Sequence, residues 1–193
     1  MLLREHAVTA TIERTKELAI QQEATIPRAR NPEELVELFS KDVWRFASAQ
    51  IARREDAEDI VMEVFAAACS NFQKVYRTEN QRIWLLSITR KKVIDHLRRQ
   101  YRRAEQPISS AEMIACEAEV SDLSETARKA LRGLSEPHSE ALILKYINGL
   151  SMEELAAVMR KSIPATNSLL QRARTALRDA MGSAMPEIEW RQS

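Results

Sequence analysis

Apolar side chains recur at intervals of three and four residues along two segments of the chain, a spacing that predicts amphipathic helices. The stripe in residues 31–50 consists of Leu35, Leu38, Phe39, Val43 and Phe46. The stripe in residues 56–72 consists of Ile60, Val61, Val64, Phe65, Ala68 and Phe72. Asn31 and Pro32 precede the first stripe as an N-cap and a proline at the first helical position. We therefore predict two helices, each with one apolar face.

A third long helix is predicted to begin at a capping-box motif, Thr78-x-x-Gln81, and to run to Arg103. Five residues at helical spacing are available to face a core: Ile83, Leu86, Val93, Leu97 and Tyr101. Trp84 and Tyr101 are interleaved with basic residues, an arrangement that suits the unpaired bases of a single-stranded nucleic acid. Spacing alone favours a core position for Trp84, so both interpretations stay open at this point.

The second half of the chain has the pattern of a helix-turn-helix. A helix is predicted over residues 134–146, and Asn148-Gly149 marks the turn that follows. The capping box in residues 151–154 begins a short helix, Met152 to Met159. After a break, Pro164 suits the first position of a last helix, whose inward residues are Leu170, Ala173 and Leu177. This order of helices and turns is typical of helix-turn-helix DNA-binding proteins.

The first two turns of the last helix carry polar side chains that can read bases: Asn167, Ser168, Gln171 and Arg172. Asn and Gln can make two hydrogen bonds to adenine, and Arg can make two to guanine. Residues 160–178 hold five basic side chains, Arg174 among them, and no acidic one. These positive charges are suited to binding DNA phosphates. A capped helix pair with a polar surface is also common in proteins that never bind DNA, so this pattern alone leaves the function open.

Charge is divided into blocks along the chain, although 29 basic and 28 acidic residues give a net charge of only +1. The net charge is −5 in residues 31–63, +7 in residues 82–103 and −6 in residues 104–126. Residues 104–126 also contain Pro107 and no sustained apolar face, so we predict a linker there. Blocks of opposite sign indicate either separate surfaces for separate partners or solvated helix faces.

Composition narrows the class of protein. Three Gly and six Pro are too few for an all-β chain, and no apolar run approaches the roughly 20 residues that span a bilayer, so we expect an all-α protein without membrane insertion. Two cysteines fit neither a disulfide framework nor a metal site, and the N-terminus lacks a secretory signal, which indicates the cytoplasm. No catalytic arrangement is visible, so we expect no enzymatic activity, catalytic residue, metal or cofactor.

Several motifs together resemble extracytoplasmic-function sigma factors. Residues 56–65 (DAEDIVMEVF), 84–90 (WLLSITR) and 93–99 (VIDHLRR) resemble the second conserved region of that family, in matching order and spacing. Residues 134–138, 150–156 and 171–174 are similar to its fourth region. The resemblance covers about residues 31–180. It departs from the usual family pattern at Lys91, Pro164, Asn167 and Leu169.

The resemblance implies a bacterial transcription initiation factor with two small helical domains joined by a flexible linker. The implied domains are an N-terminal extension (1–30), a region 2 helical bundle (31–103), an acidic linker (104–126), a region 4 helix-turn-helix domain (127–182) and a tail (183–193). The implied partners are promoter DNA and core RNA polymerase, through the clamp of its largest subunit and the flap of the second. Family members are commonly held by an anti-sigma factor, which is a further expected partner.

The resemblance also assigns three binding surfaces. The residues implied to contact core polymerase are Asp56, Glu58, Asp59 and Glu63. The residues implied to capture the melted minus-ten strand are Lys74, Arg77, Trp84, Arg90, Lys91, Lys92 and Arg98. The residues implied to read the minus-thirty-five duplex are Asn167, Ser168, Gln171, Arg172 and Arg174.

Two other functions compete with this interpretation. A stand-alone helix-turn-helix regulator would bind duplex DNA as a dimer, but no heptad seam is sustained and the acidic cluster in residues 56–63 would have no role. A nucleic-acid-processing enzyme would need carboxylates gathered around a metal, whereas this acidic cluster lies at a predicted helix start, where the helix dipole explains one or two of its charges.

Overall fold

The computed structural model describes residues 27–104 and 125–181. Predictions for residues 1–26, for most of the proposed linker and for the tail fall outside these ranges. All regular structure within them is helical, which confirms the all-α prediction. The helices are α1 (Pro32–Gln50), α2 (Arg54–Ser70), α3 (Phe72–Tyr76), α4 (Gln81–Ala104), α5 (Glu125–Gly133), α6 (Glu136–Leu142), α7 (Met152–Met159) and α8 (Ile163–Met181). A π-helical turn, Ile143–Ile147, extends α6.

Helix α1 begins as its sequence predicts. The side-chain oxygen of Asn31 accepts a hydrogen bond from the backbone N–H of Glu34 at 2.8 Å, and the Glu34 carboxylate accepts one from the N–H of Arg30 at 2.8 Å. Four of the five predicted stripe residues are buried: Leu35, Phe39, Val43 and Phe46. The prediction for Leu38 is wrong. This residue lies at the edge of the apolar stripe, and its side chain is 42% exposed.

Helix α2 begins and ends two residues earlier than predicted, at Arg54 and Ser70. Four of its predicted apolar residues are buried: Ile60, Val64, Phe65 and Ala68. Phe72 belongs to the short helix α3 instead, because the chain turns at Asn71, whose side-chain amide donates to the carbonyl of Ala67 at 2.9 Å. The acidic residues lie on about the first three turns of a helix that packs against α1 and α4.

The start of α4 corrects the sequence analysis, because the N-cap is Asn80 and not Thr78. The Asn80 side-chain oxygen accepts from the N–H of Ile83 at 3.1 Å, whereas the Thr78 hydroxyl donates to the carbonyl of Val75 at 2.8 Å. Of the residues available to face a core on this helix, Tyr101 does not do so, since it is 70% exposed near the end of α4.

Gln81 explains why no capping box forms there. Its side chain is buried and pairs with the backbone of Ala29, accepting from the N–H at 2.7 Å and donating to the carbonyl at 3.0 Å. Arg28 lies over the ring of Tyr76 at 5.1 Å from the centroid and donates to the carbonyl of Thr78 at 3.2 Å. The described end of the N-terminal extension is thus tied to the α3–α4 segment.

The helix-turn-helix is formed by α7 and α8. The capping box is present as predicted, since the Ser151 hydroxyl accepts from the N–H of Glu154 at 3.1 Å and the Glu154 carboxylate accepts from the N–H of Ser151 at 3.0 Å. Helix α7 has the predicted bounds and ends at Arg160 in the left-handed region, with φ of 54°. Helix α8 begins one residue before Pro164, and its predicted inward residues Leu170, Ala173 and Leu177 are buried.

The described parts of the two halves, residues 27–104 and 125–181, pack against each other. Their buried apolar side chains form one continuous cluster that includes residues from α1 through α8. Helix α1 contacts α5 and the π-helical turn, and α4 contacts α7. The second half therefore lies directly on α1 and α4 of the first half, and the apolar surface buried between them stabilises this arrangement.

Candidate functional surfaces

The acidic cluster forms an exposed surface at the start of α2. Glu58 and Asp59 are exposed, and the Glu58 carboxylate accepts a hydrogen bond from Arg54 at 2.8 Å. Asp56 is half-buried, at 3.6 Å from His96 Nε2 and 3.5 Å from the side-chain amide of Gln100. The structure thus brings the predicted polymerase-binding residues together along one helix, beside basic and polar residues of α4.

Glu63 differs from the rest of this cluster because it pairs with the basic helix. Its carboxylate accepts a hydrogen bond from Lys92 Nζ at 2.7 Å, and this bond lowers the pKa of Glu63 below the usual range. The Glu63 side chain is 56% exposed, so solvent screens the pair and it contributes little to stability. Lys92 is therefore directed toward α2 and does not line the cleft that holds Trp84, Arg90 and Lys91.

A cleft of about 870 Å³ runs between α4 and the second half of the chain. Four of the residues predicted to hold the minus-ten strand line it: Trp84, Arg90, Lys91 and Arg98. Residues of the second half line the same cleft: Glu136, Glu153, Glu154, Ala157, Val158 and Arg160. Trp84 is partly buried and packs against the core, as its spacing favours, and it also lines the cleft. Lys74 and Arg77 are exposed on the α3 segment and do not line the cleft.

Arg90 contacts a buried carboxylate in this cleft. Its Nε donates to Glu140 Oε2 on α6 at 3.0 Å, and the Glu140 side chain is 0% exposed. Burial raises the pKa of Glu140 to about 7, against the opposing attraction of Arg90. Within the described residues, Glu140 Oε1 has no hydrogen-bond partner. Glu140 is therefore held in an environment that penalises its charge despite the adjacent guanidinium.

A second polar cluster joins the two halves beside this pair. Arg82 donates to both carboxylate oxygens of Asp42 at 2.8 Å and also to the backbone carbonyl of Asn148. The side-chain amide of Asn148 donates to the carbonyl of Asp42 at 2.9 Å. The hydrogen bond from Arg82 to Asp42 raises the pKa of Arg82 above its ordinary value. Sequence analysis missed these residues, since their partners lie 40 to 106 positions away.

The outward face of α8 presents the residues predicted to read duplex DNA. Asn167, Ser168, Gln171 and Arg172 are all exposed. The Ser168 hydroxyl donates to the carbonyl of Pro164 at 3.1 Å, and Arg172 Nε donates to the carbonyl of Ser168 at 3.3 Å. Asn167 and Gln171 are one turn apart on this face, the spacing at which side chains of a recognition helix meet neighbouring base edges.

Arg174 is positioned by a residue that the sequence did not single out. Its Nε donates to the hydroxyl of Tyr146 at 2.6 Å, and its guanidinium lies 5.6 Å from the centroid of the Tyr146 ring. Tyr146 is in the π-helical turn before the helix-turn-helix. The ring thus holds a basic side chain at the edge of the α8 face, and a guanidinium in this position is suited to contact a DNA phosphate.

Two further findings concern the described residues only. Their His, Cys, Asp and Glu side chains do not gather in groups of three that are able to hold a metal ion. None of the helices combines the length and the apolarity that crossing a bilayer requires.

Comparison with known proteins defines the class. The family model for Sigma-70 region 2 matches residues 35–103, and that for Sigma-70, region 4 matches residues 124–177. The ECF RNA polymerase sigma factor BldN of Streptomyces coelicolor is 32% identical over 149 residues, covering 72% of this chain and 56% of BldN. The ECF RNA polymerase sigma factor SigC of Mycobacterium tuberculosis is 29% identical over 164 residues, covering 82% of this chain and 88% of SigC.

Two solved structures share the fold. The sigma factor RpoE of Bartonella quintana, in complex with the anti-sigma factor NepR, matches with a TM-score of 0.64 and 25% identity, covering 77% of this chain and 95% of RpoE. CnrH, in complex with the cytosolic domain of CnrY, matches with a TM-score of 0.55 and 21% identity, covering 78% and 86%, which shows likeness of fold alone.

The helix-turn-helix, the helical first half and both family matches place the chain in the sigma-70 family of transcription initiation factors. Within that family it belongs to the extracytoplasmic-function group, as its sequence similarity to BldN and SigC shows. Members of this family are initiation factors and not enzymes. The stand-alone regulator is not favoured, because both halves of the chain match sigma-factor regions in the sigma-factor order.

Proposed function

We propose that the chain directs core RNA polymerase to promoters through three surfaces, in the cytoplasm and without catalytic activity of its own. The observation that carries this proposal is the joint match of residues 35–103 to region 2 and residues 124–177 to region 4. The chain spans only 56% of BldN, but it spans 88% of SigC.

The acidic surface of α2 is the proposed contact with the clamp of the largest polymerase subunit. Asp56, Asp59 and Glu58 lie within two turns on the solvent-facing side of the first half. The exposed Met62, 72% accessible, is one turn beyond Glu58 and adds an apolar contact to this charged surface. A patch that combines fixed negative charge with an exposed apolar side chain suits a basic partner surface and rapid, charge-steered association.

The cleft face of α4 is the proposed binding surface for the melted minus-ten strand. Lys91 and Arg98 are exposed and supply phosphate contacts, and the half-buried Trp84 ring offers a surface on which a base can stack. Lys74 and Arg77 extend this positive surface along α3. Phosphate contact and stacking are both tolerant of sequence, so base selection by this surface needs additional contacts.

The outward face of α8 is the proposed reader of the minus-thirty-five duplex, with Asn167 and Gln171 on base edges and Arg174 on a phosphate. Region 4 is also the proposed contact with the flap of the second polymerase subunit. An anti-sigma factor is a further proposed partner, by analogy with RpoE of Bartonella quintana, which was solved in complex with NepR.

Run-off transcription tests the proposal as a whole. Core polymerase with this chain should yield discrete transcripts from genomic fragments, and core polymerase alone should not. The absence of any transcript that depends on the chain, over a full genomic library, would contradict the proposed function.

Charge reversal tests the clamp contact. Asp56→Lys with Asp59→Lys should weaken binding to core polymerase at least tenfold in a pull-down, because two charges at the centre of the acidic surface are inverted. Glu55→Lys is the control, since it inverts an exposed carboxylate on the same helix turn that lies outside the predicted set. Equal polymerase affinity in the double variant and the control would exclude the clamp assignment.

A further inference from the structure

The segment before α1, residues 27–31, lies outside the residues that match the region 2 family model, which begin at residue 35. It is bonded to the start of α4 through Ala29, which is fully buried. The Gln81 side chain accepts from the N–H of Ala29 at 2.7 Å and donates to its carbonyl at 3.0 Å. Two hydrogen bonds from one buried amide fix the backbone on both sides of Ala29. The Arg28 side chain therefore starts from a fixed place beside the α3–α4 turn, residues 77–80.

The guanidinium of Arg28 is held against this turn by three contacts. It lies 5.1 Å from the centroid of the Tyr76 ring. It also donates to the carbonyl of Thr78 at 3.2 Å and to the carbonyl of Tyr76. These two carbonyls flank Arg77, one of the residues proposed to contact the minus-ten strand. A cation–ring contact and two hydrogen bonds restrict a side chain that otherwise has many rotamers, so Arg28 is pre-organised next to Arg77.

Arg28 makes the electrostatics of the turn more favourable for a polynucleotide. Carbonyl groups at the end of a helix carry partial negative charge, which repels a phosphate. The carbonyls of Tyr76, at the end of α3, and of Thr78 both accept hydrogen bonds from Arg28. Residues 72–80 hold two basic side chains and one acidic side chain, a net charge of +1, and Arg28 raises the local charge to +2.

Arg28 is also accessible to a ligand. Its two hydrogen bonds to the turn leave N–H groups of the guanidinium for a phosphate, because a guanidinium has more N–H groups than these bonds use. Arg28, Lys74 and Arg77 are all exposed, and none of the three lines the cleft between α4 and the described part of the second half. A strand therefore reaches these cations without entering the cleft.

We propose that Arg28, held by the Tyr76 ring, is a phosphate-binding residue of the minus-ten surface, so that the segment before α1 takes part in holding the melted strand. This role rests on the proposed function, since it extends the same surface. Arg28 and Arg77 supply phosphate contacts at the α3–α4 turn, whereas Lys91 supplies one in the cleft. The ligand is a single-stranded polynucleotide, bound here through its phosphates and without base selection.

Strand binding by the full chain, measured at several salt concentrations, tests this role. The probe is a fluorescent single strand of about 20 nucleotides with random sequence, followed by anisotropy. Arg28→Gln should weaken binding about threefold or more and lower the slope of log affinity against log salt by about 0.7, the value for one phosphate contact on a single strand. Arg28→Lys should keep the wild-type slope, because it keeps the positive charge.

Arg30→Gln is the matched control. Arg30 is exposed two residues further along the same segment, and its backbone N–H donates to Glu34 of α1. Arg30→Gln removes the same charge from the chain and should leave the salt slope close to that of wild type. Equal changes of slope in Arg28→Gln and Arg30→Gln would overturn the proposal. Weaker binding of Arg28→Gln at an unchanged slope would also overturn it, because Arg28 would then only support the turn.

Substitutions of Tyr76 test whether its ring holds Arg28 in place. Tyr76→Leu removes the ring and should weaken strand binding, and Arg28→Gln should have a smaller effect in that background than in wild type. Tyr76→Phe keeps the ring and should leave the effect of Arg28→Gln unchanged. Additive effects of Tyr76→Leu and Arg28→Gln would overturn the proposal, since a ring that only stacked on a base would act independently of Arg28.

Failure of the proposed function is recognised separately, by run-off transcription with the wild-type chain. If transcripts depend on the chain but Arg28→Gln has the salt slope of wild type, the proposed function stands and only the Arg28 contact is excluded. If no such transcript forms but Arg28→Gln lowers the slope, the proposed function fails and the Arg28 contact stands. An absence of measurable strand binding by wild type would overturn the Arg28 contact, whatever the result of transcription.

Discussion

Glu140→Gln should make the stability of the chain less dependent on pH between about pH 5 and pH 8. In the folded protein, burial raises the pKa of Glu140 from 4.5 to about 7. A carboxyl with a raised folded-state pKa binds its proton more tightly in the folded state than in the unfolded state. Its contribution to stability is therefore fully present below about pH 4.5 and is lost as the pH rises to about 7.

The magnitude follows from the two pKa values. At about 1.4 kcal/mol per pKa unit, a rise in the pKa from 4.5 to about 7 corresponds to at most about 3 to 4 kcal/mol of unfolding free energy. The charges that face Glu140 are Arg90 and Arg98 from α4, which favour its ionised form, and Glu136 from its own helix, which opposes it. Desolvation exceeds their combined effect, since the side chain is completely buried.

Urea unfolding of the full chain, followed by circular dichroism at several pH values, measures this effect as a difference between variants. The Gln side chain keeps the size of Glu140 and still accepts the hydrogen bond from Arg90, but it does not ionise. Wild type should lose about 2 to 3 kcal/mol relative to Glu140→Gln between about pH 5 and pH 8. Glu136→Gln, which removes a carboxyl from the same helix, should leave the decrease in unfolding free energy with rising pH in place.

A gain in the stability of wild type over Glu140→Gln as the pH rises would refute a raised pKa for Glu140. That result would mean that the ion pair with Arg90 outweighs burial and holds the pKa of Glu140 below its ordinary value. Parallel pH profiles of the two proteins would likewise exclude Glu140 as a group that titrates in this range.

Three further predictions concern DNA and helix stability. Lys91→Ala should reduce permanganate-reactive strand opening on a duplex promoter and flatten its salt dependence, whereas Lys92→Ala should have a smaller effect because Lys92 is paired with Glu63; undiminished opening in Lys91→Ala would exclude a strand contact for Lys91. Gln171→Ala should change the preferred duplex bases by about 1 to 3 kcal/mol, whereas Arg174→Ala should lower affinity equally for all sequences; identical binding-site preferences for wild type and Gln171→Ala would contradict this. Ser151→Ala should destabilise the protein by about 1 kcal/mol in thermal unfolding, because the N-cap hydrogen bond of α7 is lost. An unchanged melting temperature would show that this cap does not stabilise the protein.

Helix starts were predictable where the capping partners are close in sequence. Asn31 and Ser151 each bond to the backbone three residues ahead, and both were identified from the sequence. At α4 the same type of motif failed, because Gln81 bonds to Ala29, 52 residues earlier. The nearest alternative cap, Asn80, then takes the position that the motif assigned to Thr78. A local motif is reliable only when no distant group competes for its side chains.

The amino-acid sequence by itself determined the helical class, most of the apolar stripes and the exposed polar face of α8. These features depend on the 3.6-residue period, which decides which side chains share a face of a helix. The same period places Arg90 and Lys92 on different faces of α4, but it does not say what lies opposite each face. Only the tertiary structure decided that Lys92 meets Glu63 of α2 and that Arg90 meets the buried Glu140 of the other half, because these contacts depend on how separate helices pack.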